Sequence, residues 1–340
     1  MTYRPRVLVV DDSAFARTML TKLLNASRKI EVVGRAHDGF AALEQIAALD
    51  PDVVTLDLTM PELDGIGVLR ALANRPRPRV IVVSISGVDT ELGAEALLLG
   101  AVDLVTKPTA LASDRLQAIG DELVAKVLAA AADKPLQVAT SSTPAAIRRS
   151  ELVVVGTSTG GPQALTRLLT ALPADLASPV AIALHIPAGY TESLAARLDK
   201  LSKLRVVEAF DGLVLAPGMV VLARGGHQLR IHRSGGDQLH AEVSSLPARP
   251  FAPSVDELFL SAAAATGAST LGVVMTGMGD DGLEGSRAIA AAGGSLLTES
   301  AASCVVYGMP RVVDEAAIGA SSVLLEDIAS EIARRVRPRT

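Results

Sequence analysis

Leu152-Val153-Val154-Val155-Gly156-Thr157-Ser158-Thr159-Gly160-Gly161-Pro162 decides how the C-terminal half is read. The apolar run Leu152 to Val155 has the length and character of a buried strand. Gly156 to Gly161 reads as a tight turn, and the residues from Pro162 to Leu172 follow the spacing of an amphipathic helix. A strand, a glycine turn and a helix lift the Ser158 hydroxyl above a sheet edge beside a helix N-terminus, where an acyl-transfer nucleophile belongs. The same turn also suits a phosphate cradle, and on residue chemistry alone both readings stand.

Outward from that turn the strand–helix rhythm continues. From residue 151, strands are expected at 152–156, 180–184, 204–208, 271–275 and 295–298. Residues 212–243 break the pattern. Gly212, Pro217-Gly218, Gly225-Gly226 and Gly235-Gly236 punctuate short apolar segments, which reads as β-hairpins inserted in an α/β domain. Upstream, strands are expected at 6–10, 30–34, 53–57, 80–84 and 102–105, with helices near 14–26, 38–49, 64–73, 89–99 and 111–130. Five such units predict a doubly wound, flavodoxin-like parallel sheet with its crevice at the carboxyl ends of the strands. Residues between the halves are small, polar and proline-containing, as in Lys134-Pro135 and Ser142-Thr143-Pro144. The expected division is therefore a domain over 1–128, a linker over 129–150 and a second domain over 151–340.

Composition narrows the function. With 340 residues, 49% of them hydrophobic, the chain can bury two cores. Aromatic residues make up 2%, with no Trp, which argues against base-stacking platforms and aromatic sugar sites. The net charge is −5 and the basic residues are scattered, so no nucleic acid partner is expected. Cys304 is the only cysteine, which excludes an internal disulfide and a cysteine zinc site. The N-terminus lacks a signal peptide's apolar core, and no apolar run approaches the roughly 18 residues of a membrane span. A cytoplasmic protein without direct membrane insertion is expected.

Two constellations carry chemistry. In the first, Asp11 and Asp12 follow the first expected strand, Asp57 ends the third, Ser84 ends the fourth, and Lys107 follows the fifth, ahead of Pro108, a candidate cis position. Asp-Asp-Ser alone would read as a helix cap. The full set at successive strand ends converges on one crevice, where three carboxylates call for a hard cation such as Mg²⁺. A lysine and a hydroxyl beside them suit phosphoryl oxygens, with Asp57 as the acceptor. In the second constellation, Ser158 needs a base. His37 lies in the first domain, and His227, His232 and His240 fall in the hairpin region. His185 ends an apolar run on the edge expected for Ser158. Asp281 is the best acid to orient it, with Asp280 as its neighbouring competitor; spacing does not choose between them. The order Ser, His, Asp departs from that of α/β-hydrolases.

With these residues in place, the first domain resembles a response-regulator receiver. The second resembles the catalytic domain of the chemotaxis protein-glutamate methylesterases, the CheB family. The segments that carry the second resemblance are Gly156–Pro162, His185-Ile186-Pro187, Ala209–Gly212, Pro253–Asp256, Thr276–Gly282 and Val305–Pro310. The first resemblance implies Asp57 as phosphoacceptor and Mg²⁺ held by Asp11, Asp12, Asp57 and the Thr59 carbonyl. Ser84 and Lys107 would contact the phosphoryl group. The second implies Ser158 as nucleophile, His185 as general base and Asp281 rather than Asp280 as third member, with the Met278 amide as oxyanion donor and Thr159 lining the site. Demethylation of glutamate methyl esters and deamidation of glutamines on chemoreceptors would follow, with no cofactor for the esterase step. A sensor histidine kinase would be the phosphodonor, and the unphosphorylated receiver would cover the esterase mouth. The pathway would be chemotaxis or a related system. Departures from the families are Leu104, where receivers carry an aromatic residue, and Leu184, Ala188 and Arg224 near the esterase site. The alternatives are a response regulator with a non-catalytic receptor-binding output and one with a nucleotide-binding output; a DNA-binding output is disfavoured by the acidic balance and the lack of a helix-turn-helix pattern.

Overall fold

The computed structural model describes residues 3–73, 75, 77–85, 90–107, 113–132, 149–235 and 237–336. Pro108 and most of the expected linker lie outside the described residues. The chain divides into two compact units, Met1–Asp133 and Lys134–Thr340.

The first unit alternates β1 (Arg6–Val10), α1 (Ala14–Ala26), β2 (Glu31–Ala36), α2 (Gly39–Leu49), β3 (Val53–Leu56), α3 (Gly65–Ala71), β4 (Arg79–Ile85), α4 (Thr90–Leu98), β5 (Asp103–Lys107) and α5 (Ser113–Ala131). Its sheet is parallel in the order β2-β1-β3-β4-β5. Val7 to Val10 and Val53 to Leu56 are buried on both faces, as interior parallel strands require. Ser13 caps α1 by accepting the Ala16 N–H, and the Asp11 carboxylate in turn accepts the Ser13 N–H. Capping therefore falls to the serine, and the two acids ahead of it face the crevice.

The second unit runs β6 (Leu152–Thr157), α6 (Gly161–Ala171), β7 (Val180–Leu184), α7 (Thr191–Leu201), β8 (Arg205–Glu208), β9 (Val214–Leu215), β10 (Met219–Leu222), β11 (Gln228–Arg233), β12 (Leu239–Ser244), α8 (Val255–Thr266), β13 (Thr270–Val274), α9 (Leu283–Ala291), β14 (Ser295–Glu299), α10 (Met309–Glu315), β15 (Ser321–Val323) and α11 (Leu325–Arg335). Seven parallel strands form the main sheet in the order β15-β14-β13-β6-β7-β10-β8. The chain leaves β6 toward β7 on one side and returns on the other through β13, so β6 stands at the switch point where a crevice opens.

One expectation needs correction. The hairpin reading of residues 212–243 holds for β11, β12 and β9, which form an antiparallel three-stranded sheet. It fails for β10, which lies in the main sheet and pairs in parallel with both β7 and β8. Val220, Val221 and Leu222 are fully buried, and only an interior strand covers both faces of such a run. The edge strand β15 was not anticipated; its Ser321-Ser322-Val323 has no apolar signature.

Aromatic residues are unevenly placed. Of the five phenylalanines, Phe259 is fully buried, while Phe15, Phe40, Phe210 and Phe251 are exposed. The first core is consequently aliphatic, and the second buries Phe259 and Tyr190 among aliphatic side chains.

Candidate active site and acidic crevice

Three adjacent strands, β13, β6 and β7, deliver the esterase candidates. Ser158 follows β6. Its N–H donates to the Thr276 carbonyl at 3.0 Å, and its own carbonyl accepts from Gly161 N at 2.7 Å. The turn passes through Gly160 at φ +83, where a Cβ would stand 2.6 Å from Val305 Cβ. From the β13 side, Gly277 crosses so close that a Cβ there would meet Ser158 Cβ at 2.9 Å. Thr276 ties the two loops together. Its carbonyl accepts the Thr157 hydroxyl at 2.7 Å, and its own hydroxyl donates to the Thr159 carbonyl and accepts from Val306 N, both at 2.9 Å. Thr159 is buried in this clasp. Met278 is half-buried beside it, and its N–H has no hydrogen-bond partner among the described residues.

His185 follows β7, with its backbone N–H on the Thr157 carbonyl at 3.1 Å. Its Nε2 lies 2.7 Å from Asp281 Oδ2, whereas Asp280 is exposed. Nδ1 is buried with no hydrogen-bond partner. The ring is thus used the opposite way round from chymotrypsin-type triads, where Nδ1 faces the acid. A neutral imidazole holding its proton on Nε2 leaves the Nδ1 lone pair free as the base.

Asp281 is fixed on every side. Oδ1 accepts Ser254 Oγ at 2.9 Å and Asp256 N at 3.0 Å, and Oδ2 accepts Val255 N at 2.7 Å in addition to His185. These donors form the N-terminus of α8, where a carboxylate is favoured. Burial pushes the Asp281 pKa upward, but the His185 contact and the two backbone donors outweigh it and hold the group at about 2. Next to it, Asp256 accepts Gly282 N and Gly285 N, closing the loop that bears Asp281. Burial, the neighbouring Asp281 charge assisting, lifts Asp256 to about 6. Sequence reading singled out Pro253–Asp256 only as a resemblance and gave Ser254 and Asp256 no role; an N-cap serine ahead of two acids was the available signal.

Of the departures, Leu184 is fully buried, and Arg224 is exposed. Ala188 lies under a glycine pair: a Cβ on Gly226 would meet Ala188 Cβ at 3.1 Å, so little room remains for a larger residue.

In the first unit, one carboxylate oxygen from each of Asp11, Asp12 and Asp57 can be chosen so that all three lie within 4.8 Å of one another. Lys107 Nζ reaches Asp11 Oδ2 at 2.8 Å and Asp57 Oδ2 at 2.7 Å. Asp57 Oδ1 accepts the Leu58 N–H at 2.8 Å. Burial pushes the Asp57 carboxyl up, Lys107 and the Thr59 amide pull it down, and Asp11 adds to the push; the outcome is a raised pKa. Burial pulls Lys107 down, but its two carboxylate partners prevail and raise it, so the ammonium stays charged. Ser84 Oγ is buried without a hydrogen-bond partner. Three acids against one lysine, with an orphaned hydroxyl beside them, fit a cation and a phosphoryl oxygen. Leu104 is buried in the sheet.

Comparison with known proteins places both units. Residues 153–332 match the model of the CheB methylesterase family, and residues 7–119 match that of the response regulator receiver domain. A Myxococcus xanthus protein named protein-glutamate methylesterase/protein-glutamine glutaminase 5 is 55% identical over 98% of both chains. A protein-glutamate methylesterase/protein-glutamine glutaminase of Halalkalibacterium halodurans is 41% identical over 99% of this chain and 100% of that one. Among solved structures, the CheB methylesterase catalytic domain of Thermotoga maritima superposes with a TM-score of 0.54 at 34% identity, covering 55% of this chain and 99% of that one.

Proposed function

The chain belongs to the CheB methylesterase family, and from that membership we propose how its own residues perform the reaction. It is a protein-glutamate methylesterase and glutaminase carrying a receiver domain. In our reading, His185 Nδ1 takes the Ser158 proton as Oγ attacks the ester carbonyl of a methylated glutamate side chain. The Met278 N–H donates to the oxyanion, a contribution of roughly 3 kcal/mol in other hydrolases. The imidazolium is stabilised by ionised Asp281 and returns its proton to departing methanol. Water, deprotonated by His185, then attacks the acyl-enzyme and frees the glutamate carboxylate and Ser158. With glutamine the leaving group is ammonia and the rest is unchanged. The esterase reaction consumes only substrate and water. The observation that carries this reading is the His185 ring, gripped by Asp281 at Nε2 and unpartnered at buried Nδ1, one strand away from Ser158.

For the receiver, Asp57 accepts a phosphoryl group from a sensor histidine kinase. Asp11, Asp12, Asp57 and the Thr59 carbonyl would hold Mg²⁺, whose charge offsets that of the phosphoryl oxygens when bound. Lys107 releases Asp57 Oδ2 and meets the phosphoryl group together with Ser84. Phosphorylation of Asp57 raises the rate of the esterase. The substrates are chemoreceptors, demethylated at the cytoplasmic side of the membrane. Among the described residues no helix is long and apolar enough to cross a membrane.

The test is methanol release from methylated chemoreceptor membranes, comparing wild type and Ser158→Ala with and without a small-molecule phosphodonor and Mg²⁺. Stimulated release that vanishes in the variant is expected. Release indifferent to the phosphodonor would retain the esterase and remove the switch. Release surviving in Ser158→Ala would reject the assigned nucleophile.

A further inference from the structure

The catalytic imidazole has a second contact that the reaction itself does not require. Phe251 stacks on His185 with ring centroids 4.1 Å apart and planes 10° from parallel. The His185 side chain is 9% exposed and Phe251 is 39% exposed, so the phenyl ring roofs one imidazole face. This roof is anchored. The Phe251 carbonyl accepts Gln228 Nε2 at 2.8 Å, and the buried Gln228 accepts Ser254 N at Oε1, also at 2.8 Å. The next carbonyl, that of Ala252, accepts Gly226 N at 2.9 Å. Ser254 is also the residue whose hydroxyl holds Asp281 Oδ1. One pinned segment therefore grips the imidazole twice, at its edge through Asp281 and on its face through Phe251.

The two grips constrain different motions. A hydrogen bond at Nε2 restrains one ring atom, but Nδ1 lies farther from the Cβ–Cγ axis, so a small rotation about that bond, whose torsion is broad for histidine, moves Nδ1 more than it strains the bond at Nε2. Tilt displaces Nδ1, the nitrogen that must meet the Ser158 hydroxyl. A parallel aromatic ring at van der Waals distance opposes that tilt. We propose that Phe251 is a positioning residue for the general base, holding the imidazole plane so that Nδ1 faces Ser158, and that it acts through His185 rather than on the substrate. The inference rests on the methylesterase reading above.

The full-length chain with Phe251→Ala, Phe251→Leu or Phe251→Tyr tests it. Two readouts are taken: kcat and KM for methanol release from methylated receptor membranes, and the rate at which a small fluorophosphonate labels Ser158, which needs no receptor recognition. Phe251→Ala is expected to lower kcat and the labelling rate about tenfold each with KM little changed, because misplaced reacting groups are costly. Phe251→Tyr is expected to restore both to within about twofold, and Phe251→Leu to fall between. Wild-type kcat and labelling in Phe251→Ala would overturn the proposal. So would a raised KM with unchanged labelling, which would assign the ring to receptor contact. Full recovery by Phe251→Leu would overturn it as well, by reducing the ring to filler. Ser158→Ala is run alongside: methanol release in that variant would fault the methylesterase assignment itself, independently of Phe251.

Discussion

At Asp281 the carboxylate accepts four hydrogen bonds, from a hydroxyl, two backbone amides and the His185 imidazole. Asparagine at that position would turn one oxygen into an NH₂ group facing donors, so Asp281→Asn loses both the cradle and the tautomer that leaves Nδ1 as base. A fall in kcat on the order of 10⁴-fold is expected, measured as methanol release. Stability should follow pH in the matching sense. The folded pKa of about 2 lies below the ordinary value, so the contribution is present above the ordinary carboxylate range and disappears as pH falls toward 2. Denaturant unfolding of wild type and Asp281→Asn should therefore differ at neutral pH and converge on acidification. How much of the site was legible in sequence is clearest at this scale. Ser158 and His185 stand at the ends of apolar runs, which made them candidates, but the turn around Ser158 suited a phosphate cradle equally well until the family resemblance was considered. Asp281 and Asp280 were inseparable by spacing, because only the direction of each side chain distinguishes them. Which imidazole nitrogen faces the acid, and the ring that roofs the imidazole, are properties of three-dimensional approach; Phe251 sits in a proline-containing loop with no periodicity to announce it.

Helix α8 is the element on which the proposed triad leans, because its first turn supplies three of the four donors to Asp281. It packs against α9, β11 and β6, and the approach to β6 is very close. A Cβ on Gly156 would come within 2.2 Å of Val255 Cγ1, so the helix lies on the strand at glycine distance. Gly156→Ala should push the α8 N-terminus away, costing about 2 kcal/mol of stability as overpacked cores do and lowering kcat with it. Adding Val255→Ala removes the opposing methyls, and the double variant should regain part of both losses in unfolding and turnover measurements. No recovery would mean that α8 is held elsewhere. Strands show where element-scale reading stops. Apolar runs located β1, β3, β6, β7 and β13 because burial on both faces leaves a continuous signature. β10 carries the same signature but is flanked by Pro217-Gly218 and Gly225-Gly226, so local turn chemistry suggested a hairpin. Its true partners, β7 and β8, lie far from a hairpin register, and long-range pairing leaves no local mark.

At the scale of the whole molecule, two chemistries share one chain, and each shifts a buried carboxyl from its ordinary range. Asp57 is held above its ordinary pKa by burial and by Asp11 despite two contacts that favour its anion. A divalent cation should relieve this. Mg²⁺ is expected to raise the melting temperature of the wild-type chain and to do so much less in Asp57→Asn, because binding to the folded form alone stabilises it by mass action. The same substitution should leave unstimulated methanol release in place and abolish its response to a phosphodonor. An equal Mg²⁺ shift in both proteins would remove Asp57 from the cation site. Two α/β units were legible in the strand–helix rhythm on either side of a small, polar stretch, and the receiver in its strand-end acids and lysine; the second family was legible only in matching segments, because the chemistry of the Ser158 turn alone suited a phosphate cradle equally well.

The scarcity of aromatic residues has an optical consequence. A chain with no tryptophan and three tyrosines is nearly dark when excited at the long-wavelength edge of protein absorption. Phe251→Trp would introduce a lone indole beside the imidazole proposed to take up a proton in each catalytic cycle. Because an imidazolium quenches indole emission, the brightness of that single indole would report the charge of the His185 imidazole against little background.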